Sequence, residues 1–251
     1  MPEITCKMIN DPVWEKQTLY RPLLPGKLDI CRIRLSENVR LPGYFKDILS
    51  IEEQNRAISY IDEHSKNRFI INRIALRMLL GKYLNILPAD ILFITGPNNK
   101  PYVGNTENHG LYYNVSHSGD WMLIAISDSE VGIDIEQTDN DLGFEEVLPV
   151  CFSKEEIDLI QRSEQSRDLF YLLWTRKEAL LKATSKGLDD DIINVPCIDG
   201  PSPVNEETIG SSQNWMVNSF KIADQYTGSI AYSGTLQNIN FLDSEEILRD
   251  Y

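Results

Sequence analysis

The sequence predicts an α+β fold built of two similar halves, residues 1–128 and 129–251, and three observations support it. Each half opens a helix with a Ser-x-x-Glu capping box, at Ser50-x-x-Glu53 and again at Ser153-x-x-Glu156. Each continues into a longer helix, and each supplies strands whose apolar residues alternate. No repeat of the amino acids themselves accompanies this order, so the duplication is read from the succession of elements, with the join near 128–130.

Taken in order, the first 45 residues are broken by five prolines and offer one strand, 28–35. There Leu28, Ile30, Arg32 and Arg34 share one face and Asp29, Cys31, Ile33 and Leu35 the other. The first capping box opens a helix over about 51–62. A longer helix covers 65–84, with Phe69, Leu76, Leu80 and Tyr83 at helical spacing. Pro88 and the run Gly96-Pro97-Asn98-Asn99 close that unit. Residues 111–118 and 121–127 read as a hairpin about Gly119-Asp120. After Asp128-Ser129 come a short strand, 131–136, a helix from the second capping box to about 162, and a long helix over 166–185 that ends near Gly187. Strands at 215–223 and 228–232 precede a polar tail.

Composition excludes several classes of function. Basic residues number 24 against 38 acidic, a net charge of −14. Such a chain does not coat nucleic acid or an anionic membrane through its overall field, so a phosphorylated ligand requires local basic groups or a divalent metal. No apolar run approaches the ~20 residues of a membrane span. The first thirty residues mix charge with proline and lack the apolar middle of a signal peptide. Cys6, Cys31, Cys151 and Cys197 stand far apart, without a C-x-x-C pair, which speaks against zinc or a disulfide framework and for a cytoplasmic protein.

The hexapeptide Val131-Gly-Ile-Asp-Ile-Glu136 is the most informative. Strand alternation sends Val131, Ile133 and Ile135 to one face and Asp134 and Glu136 to the other. Neighbouring carboxylates repel unless solvated or neutralised, so the pair reads either as the wet face of an amphipathic strand or as hard oxygen ligands for Mg²⁺. On the 166–185 helix, Glu178 lies opposite the stripe Leu169, Leu172, Leu173, Leu180 and Ala183. A second apolar stripe of Phe170, Trp174 and Leu181 flanks it. Glu178 and Lys182 also form a stabilising i,i+4 pair, which explains them without a site. The tryptophan and the doubly apolar helix favour a site. In Tyr113-Asn-Val-Ser-His-Ser118, Ser116 and His117 are strand neighbours pointing to opposite faces, which argues against a nucleophile–base pair. Arg68, Arg73 and Arg77 sit on the first long helix and Lys100 follows a turn. Neither a P-loop nor a dinucleotide fingerprint is present.

Three blocks occur in fixed order: Asn114-Val-Ser-His-Ser118, Gly132-Ile-Asp-Ile-Glu136 and Trp174-x-x-Lys-Glu-Ala-x-x-Lys182. Together they resemble the 4′-phosphopantetheinyl transferase superfamily, in its surfactin-synthetase-activating (Sfp-like) type, over roughly residues 50–235. The resemblance implies a pseudo-dimer of two α+β halves with the active site at their junction, and a monomer. It implies transfer of the phosphopantetheine arm of coenzyme A to a serine of an apo acyl or peptidyl carrier protein, releasing adenosine 3′,5′-bisphosphate. By motif position, Asp134, Glu136 and Glu178 would ligand Mg²⁺ (Mn²⁺ being the other candidate). Ser116 and His117 would contact the adenosine-side phosphates, Arg68 the 3′-phosphate and Lys100 the nucleotide. Lys177 and Lys182 would lie near the pyrophosphate, Lys182 assisting the leaving group, and the base would be Glu178 or Glu156, directly or through water. Two positions depart from the family pattern: Asn99-Lys100-Pro101 replaces Gly-Lys-Pro, and Glu53 stands where a basic residue is usual, with Arg56 nearby. Because carrier proteins are typically acidic, the net charge implies a local basic or apolar docking patch in place of long-range steering.

Two rivals remain at this point. A Mg²⁺-dependent phosphohydrolase using the same carboxylates would release phosphate from a nucleotide-type substrate without a protein acceptor. A binding module would carry the acidic cluster as structure alone.

Overall fold

A computed structural model describes residues 1–17, 23–35, 47–104, 110–234 and 238–248. The chain opens with β1 (Glu3–Met8), β2 (Glu15–Lys16) and β3 (Lys27–Arg34). Helices α1 (Ile51–Ile58) and α2 (Glu63–Leu84) follow, then the short hairpin of β4 (Phe93–Thr95) and β5 (Pro101–Val103) and the longer one of β6 (Tyr112–Ser118) and β7 (Trp121–Ser127). The second run holds β8 (Val131–Gln137), α3 (Leu148–Cys151), α4 (Lys154–Arg162), α5 (Ser166–Thr184), β9 (Gly200–Pro203) and α6 (Glu206–Ile209). It ends with β10 (Trp215–Ala223), β11 (Tyr226–Ser233) and β12 (Asn238–Asp243). The fold is α+β, two similar sheet-and-helix halves.

Both five-stranded sheets draw on both ends of the chain. Their orders are β2-β12-β3-β7-β6 and β8-β11-β10-β1-β9. Strand β1 runs parallel to β10, with Ile4 opposite Trp215, and β12 runs parallel to β3, with Asn238 opposite Lys27. The terminal strands are thus exchanged across the division expected at 128/129. Neither was expected from the sequence: residues 1–8 gave no strand signal, and the polar tail hid β12.

Three apolar clusters order the layers. One packs α2 on the first sheet, through residues such as Ile74, Leu79, Ile33 and Ile124. Another packs α5 on the second sheet, through Leu173, Leu180, Val217 and Ala231. The third joins the sheets face to face: Leu28, Ile30, Leu123 and Ala125 meet Ile133, Ile135, Phe220 and Ile230. The alternation expected of 28–35 is realised, with Leu28 and Ile30 between the sheets and Cys31 and Ile33 under α2. In β8, Val131, Ile133 and Ile135 enter the inter-sheet layer, which turns Gly132, Asp134 and Glu136 towards α5.

Each half repeats one internal device. Both capping boxes form as expected, and their glutamates have a second task. Glu53 accepts from Arg73 Nε (2.6 Å) and Arg77 Nε (2.7 Å), while Arg77 Nη1 donates to the carbonyls of Pro88 and Ile91. Glu156 pairs with Lys177 Nζ (2.9 Å), which donates to the carbonyls of Ile192 and Val195. In both halves a buried cation on the long helix ties the short helix's cap to the turn beyond. The halves differ one residue on: Met78 is buried core where the second half carries Glu178.

Gly132 sets the distance between β8 and α5. A Cβ there would lie 2.1 Å from the Ala179 carbonyl oxygen and 2.2 Å from the Ala183 nitrogen, so glycine alone admits the helix. Gly132→Ala is expected to lower stability by about 1–3 kcal/mol, the usual cost of overpacking. Gly143→Ala, where a Cβ meets nothing within 4 Å, serves as control. Urea titration compares them; equal midpoints would contradict the close approach.

Candidate active site at the seam between the sheets

Strands β6 and β8 are edge strands of different sheets and are joined through side chains. Asn114, Ser116 and Ser118 share one face of β6 by the period of two. The Ile133 N–H donates to Asn114 Oδ1 (2.8 Å) and the Gln137 N–H to Ser118 Oγ (3.0 Å). In the other direction, Ser116 Oγ donates to Asp134 Oδ1 (2.8 Å) and Ser118 Oγ to Glu136 Oε2 (3.0 Å). The alternation that places two carboxylates on one face of β8 therefore also supplies each with a serine.

Helix α5 completes the cluster. Lys182 Nζ donates to Asp134 Oδ1 (2.6 Å) and Ser116 Oγ (3.2 Å). Glu178, one turn earlier, has its carboxyl pushed up to about 7: burial is the main cause, Asp134 and Glu136 add to it, and Lys182 opposes it. Glu136 is likewise raised by burial and by Asp134. Asp134 Oδ2 is buried without a hydrogen-bond partner among the described residues. Three mutually repelling acids around one ammonium, with one oxygen left over, have the chemistry of a divalent-cation site, since hard carboxylate oxygens suit Mg²⁺ or Mn²⁺. Among the described residues, no group of three or more His, Cys, Asp or Glu side chains stands close enough to hold a metal ion as it is, so the three acids are a candidate set by their chemistry and not by a formed cage.

Two cavities flank the cluster. One of about 760 Å³ lies beside Ser118 and Glu136, walled by Phe170, Tyr171 and Trp174. Another, of about 590 Å³ in the first half, is lined by Arg56, Arg68, Tyr60, Phe69 and His117. Arg68 Nη2 donates to the Gly119 carbonyl (2.6 Å) at the β6–β7 turn. His117 is exposed at one edge of this cavity; partial desolvation, then Arg68 and Lys182, push its imidazole below the ordinary value.

Three residues expected at the site are turned elsewhere. Lys100 is buried, and its three donors go to Glu130 Oε2 (2.6 Å), the Val131 carbonyl (3.2 Å) and the Ala183 carbonyl (2.9 Å), so its ammonium clamps the β4–β5 hairpin to the seam. Lys177 is fully buried in the device described above, away from the carboxylate cluster. Glu156 has both oxygens engaged, Oε1 by Cys197 Sγ (3.0 Å), Oε2 by the Ser153 N–H (2.8 Å) and Lys177. The structure thus gathers Ser116, Asp134, Glu136, Glu178 and Lys182, sets Arg68 and His117 on a neighbouring cavity, and keeps Lys100, Lys177 and Glu156 in packing. At the departure noted for Glu53, the carboxylate is buried against Arg73 and Arg77, and Arg56 faces the cavity. Sequence reasoning missed Asn114 and Ser118; the period of two counted from Ser116 would have found both.

The family model described as the 4′-phosphopantetheinyl transferase superfamily matches residues 130–231, and that described as 4′-phosphopantetheinyl transferase, N-terminal, matches 44–129. A Synechocystis protein provisionally named a 4′-phosphopantetheinyl transferase is 36% identical over 158 residues, 62% of this chain and 64% of that protein. The 4′-phosphopantetheinyl transferase HetI of Nostoc is 31% identical over 170 residues, 66% of this chain and 72% of its own length. The transferase gsp of Aneurinibacillus migulanus is 32% identical over 149 residues, 58% and 60%. The chain therefore spans less than two thirds of the Synechocystis and Aneurinibacillus relatives.

The raised Glu178 carboxyl makes a signed prediction for metal-free protein. Its value of about 7 exceeds the ordinary 4.5, so folding favours the protonated form. The resulting penalty is absent below about pH 4.5, grows as pH rises and is complete above about 7. In EDTA, Glu178→Gln should leave Tm unchanged near pH ~4 and raise it by about 5–10 °C near pH ~8, the shift discounted for partial exposure. Added Mg²⁺ should stabilise the parent and not the variant. Calorimetry reads both; a variant less stable than the parent in EDTA at the higher pH would contradict the repulsion.

Proposed function

Since the chain belongs to the 4′-phosphopantetheinyl transferase superfamily, we propose that it is a Mg²⁺-dependent enzyme of the Sfp-like branch, acting on coenzyme A and an apo acyl or peptidyl carrier protein. The observation that carries this reading is the buried coupling of Asp134, Glu136 and Glu178 around Lys182, with Asp134 Oδ2 unpartnered. That arrangement is costly as bare structure and useful for handling a pyrophosphate.

In this proposal the serine oxygen of the carrier attacks the phosphorus that bears the pantetheine arm. A new O–P bond forms as the pyrophosphate P–O bond breaks, and adenosine 3′,5′-bisphosphate departs. Mg²⁺ or Mn²⁺, held by Asp134, Glu136 and Glu178, would polarise the phosphoryl group and neutralise charge on the departing bisphosphate. Glu178 receives the serine proton, directly or through water. Both oxygens of Glu156 are occupied, which supports Glu178 over Glu156 as the base. Lys182 carries positive charge at the centre of the cluster, where it meets the leaving phosphate. Arg68 and His117 take the adenosine-side phosphates at the first-half cavity, and Ser116 holds Asp134. Both halves lie in one chain, so a monomer suffices. No helix of the described residues is long and apolar enough to cross a membrane.

The test mixes protein, Mg²⁺, coenzyme A and an apo carrier domain and weighs the carrier by mass spectrometry. The expected result is a mass gain of one phosphopantetheine arm, abolished by EDTA and reduced at least ~100-fold by Glu178→Gln, the scale of a lost proton acceptor. Phosphate release from coenzyme A without carrier modification would favour the phosphohydrolase instead. With a net charge of −14, carrier affinity should not improve as salt is lowered. A steep gain at low ionic strength would place a strong basic dock on the surface.

A further inference from the structure

We infer that Ser118 is a positioning residue for Glu136, and that its hydroxyl fixes which carboxylate oxygen faces the divalent cation. The inference rests on the reading above and concerns a residue to which no role has been assigned. A serine hydroxyl has one proton to give and can turn to give it anywhere. Here that freedom is removed. Ser118 Oγ accepts the Gln137 N–H (3.0 Å), so its own proton is directed at Glu136 Oε2 (3.0 Å). The carboxylate is thereby pinned through Oε2. Outer partners of this kind orient metal ligands and contribute to affinity.

The backbone that carries Ser118 is fixed from three directions. It is the last residue of β6, paired with Trp121 of β7. The turn that follows uses Gly119 at φ 50°, where a Cβ would lie 2.2 Å from Gln137 Oε1 and from the Tyr226 hydroxyl. Arg68 Nη2 donates to the Gly119 carbonyl, and the Asp120 N–H donates to Tyr226 OH (3.2 Å). Ser118 also lines the 760 Å³ cavity beside Glu136 and Trp174, so it stands at the cation and at the open volume next to it. Ser116 has the same relation to Asp134, but it shares that carboxylate oxygen with Lys182. Ser118 Oγ is the partner of Glu136 Oε2, and the Trp174 side chain also hydrogen-bonds that carboxylate.

Mn²⁺ binding, followed by the loss of free-ion EPR signal with saturating coenzyme A and no carrier, separates positioning from mere structure. Ser118→Ala should weaken Mn²⁺ about 10–100-fold, the range for loss of an outer partner. Ser118→Thr, which keeps the donor, should restore it, and coenzyme A affinity measured in EDTA should not change. In a Glu136→Gln background, Ser118→Ala should have no further effect, because Ser118 acts through that carboxylate. Should the alanine variant fail to fold, Ser118→Cys, a near isostere with a weak donor, takes its place. Unchanged Mn²⁺ affinity in the folded variant, or an equal loss in the Glu136→Gln background, overturns the inference and leaves the proposed activity standing. A parent protein that takes up no Mn²⁺ with coenzyme A present overturns both.

Discussion

Two sheet edges meet at β6 and β8 without a shared backbone ladder, and their join depends on whether side chains of one can satisfy the other. Asn114 and Ser118 accept two β8 amides, and Ser116 and Ser118 donate to two β8 carboxylates. A neutral hydrogen bond contributes about 0.5–1.5 kcal/mol and one to a charged group about 1.5–3. The seam is thus held most strongly by the acids that also form the candidate site. Removing the acids to relieve their repulsion would loosen the junction that creates the cleft.

The repulsion is confined to one half. The first half uses the same device of capping glutamate, buried cation and carbonyl turn, but Met78 follows its cation where Glu178 follows Lys177. Its buried charges are matched, Glu53 against two arginines. In the second half, Glu156 is matched by Lys177, whereas three acids share Lys182. Strain of this sort is retained where a ligand relieves it, and structural ion pairs are balanced where none does. Gly132 brings the two kinds together by letting α5 approach β8 closely enough for Lys182 to reach Asp134.

Much of this was legible in the sequence because it is local. Capping boxes, the hairpin about Gly119-Asp120 and the alternation of 131–136 are read over six or eight residues, and the structure holds each. The exchanged ends were not legible. Glu3 bonds to Asn214, 211 residues along, and a parallel pairing of that separation leaves no periodic mark in either segment. The charged residues separated for a different reason. Lys177 and Glu178 are neighbours on a helix packed on more than one side, and 100° of rotation sends one into the core and the other towards β8. Likewise, nothing within Asn99-Lys100-Pro101 reveals that three acceptors from two distant elements await the ammonium. Residue type marked charge at these positions; only the fold decided whether it faced packing or cleft.

The central claim is that Asp134 and Glu136 from β8 and Glu178 from α5 enclose one divalent ion at the seam. Anomalous diffraction from crystals grown with Mn²⁺ and coenzyme A locates that ion directly. The account predicts one strong peak bonded to all three carboxylates, with Lys182 turned towards phosphate. A peak elsewhere, or an ion bound without Glu178, would contradict the account.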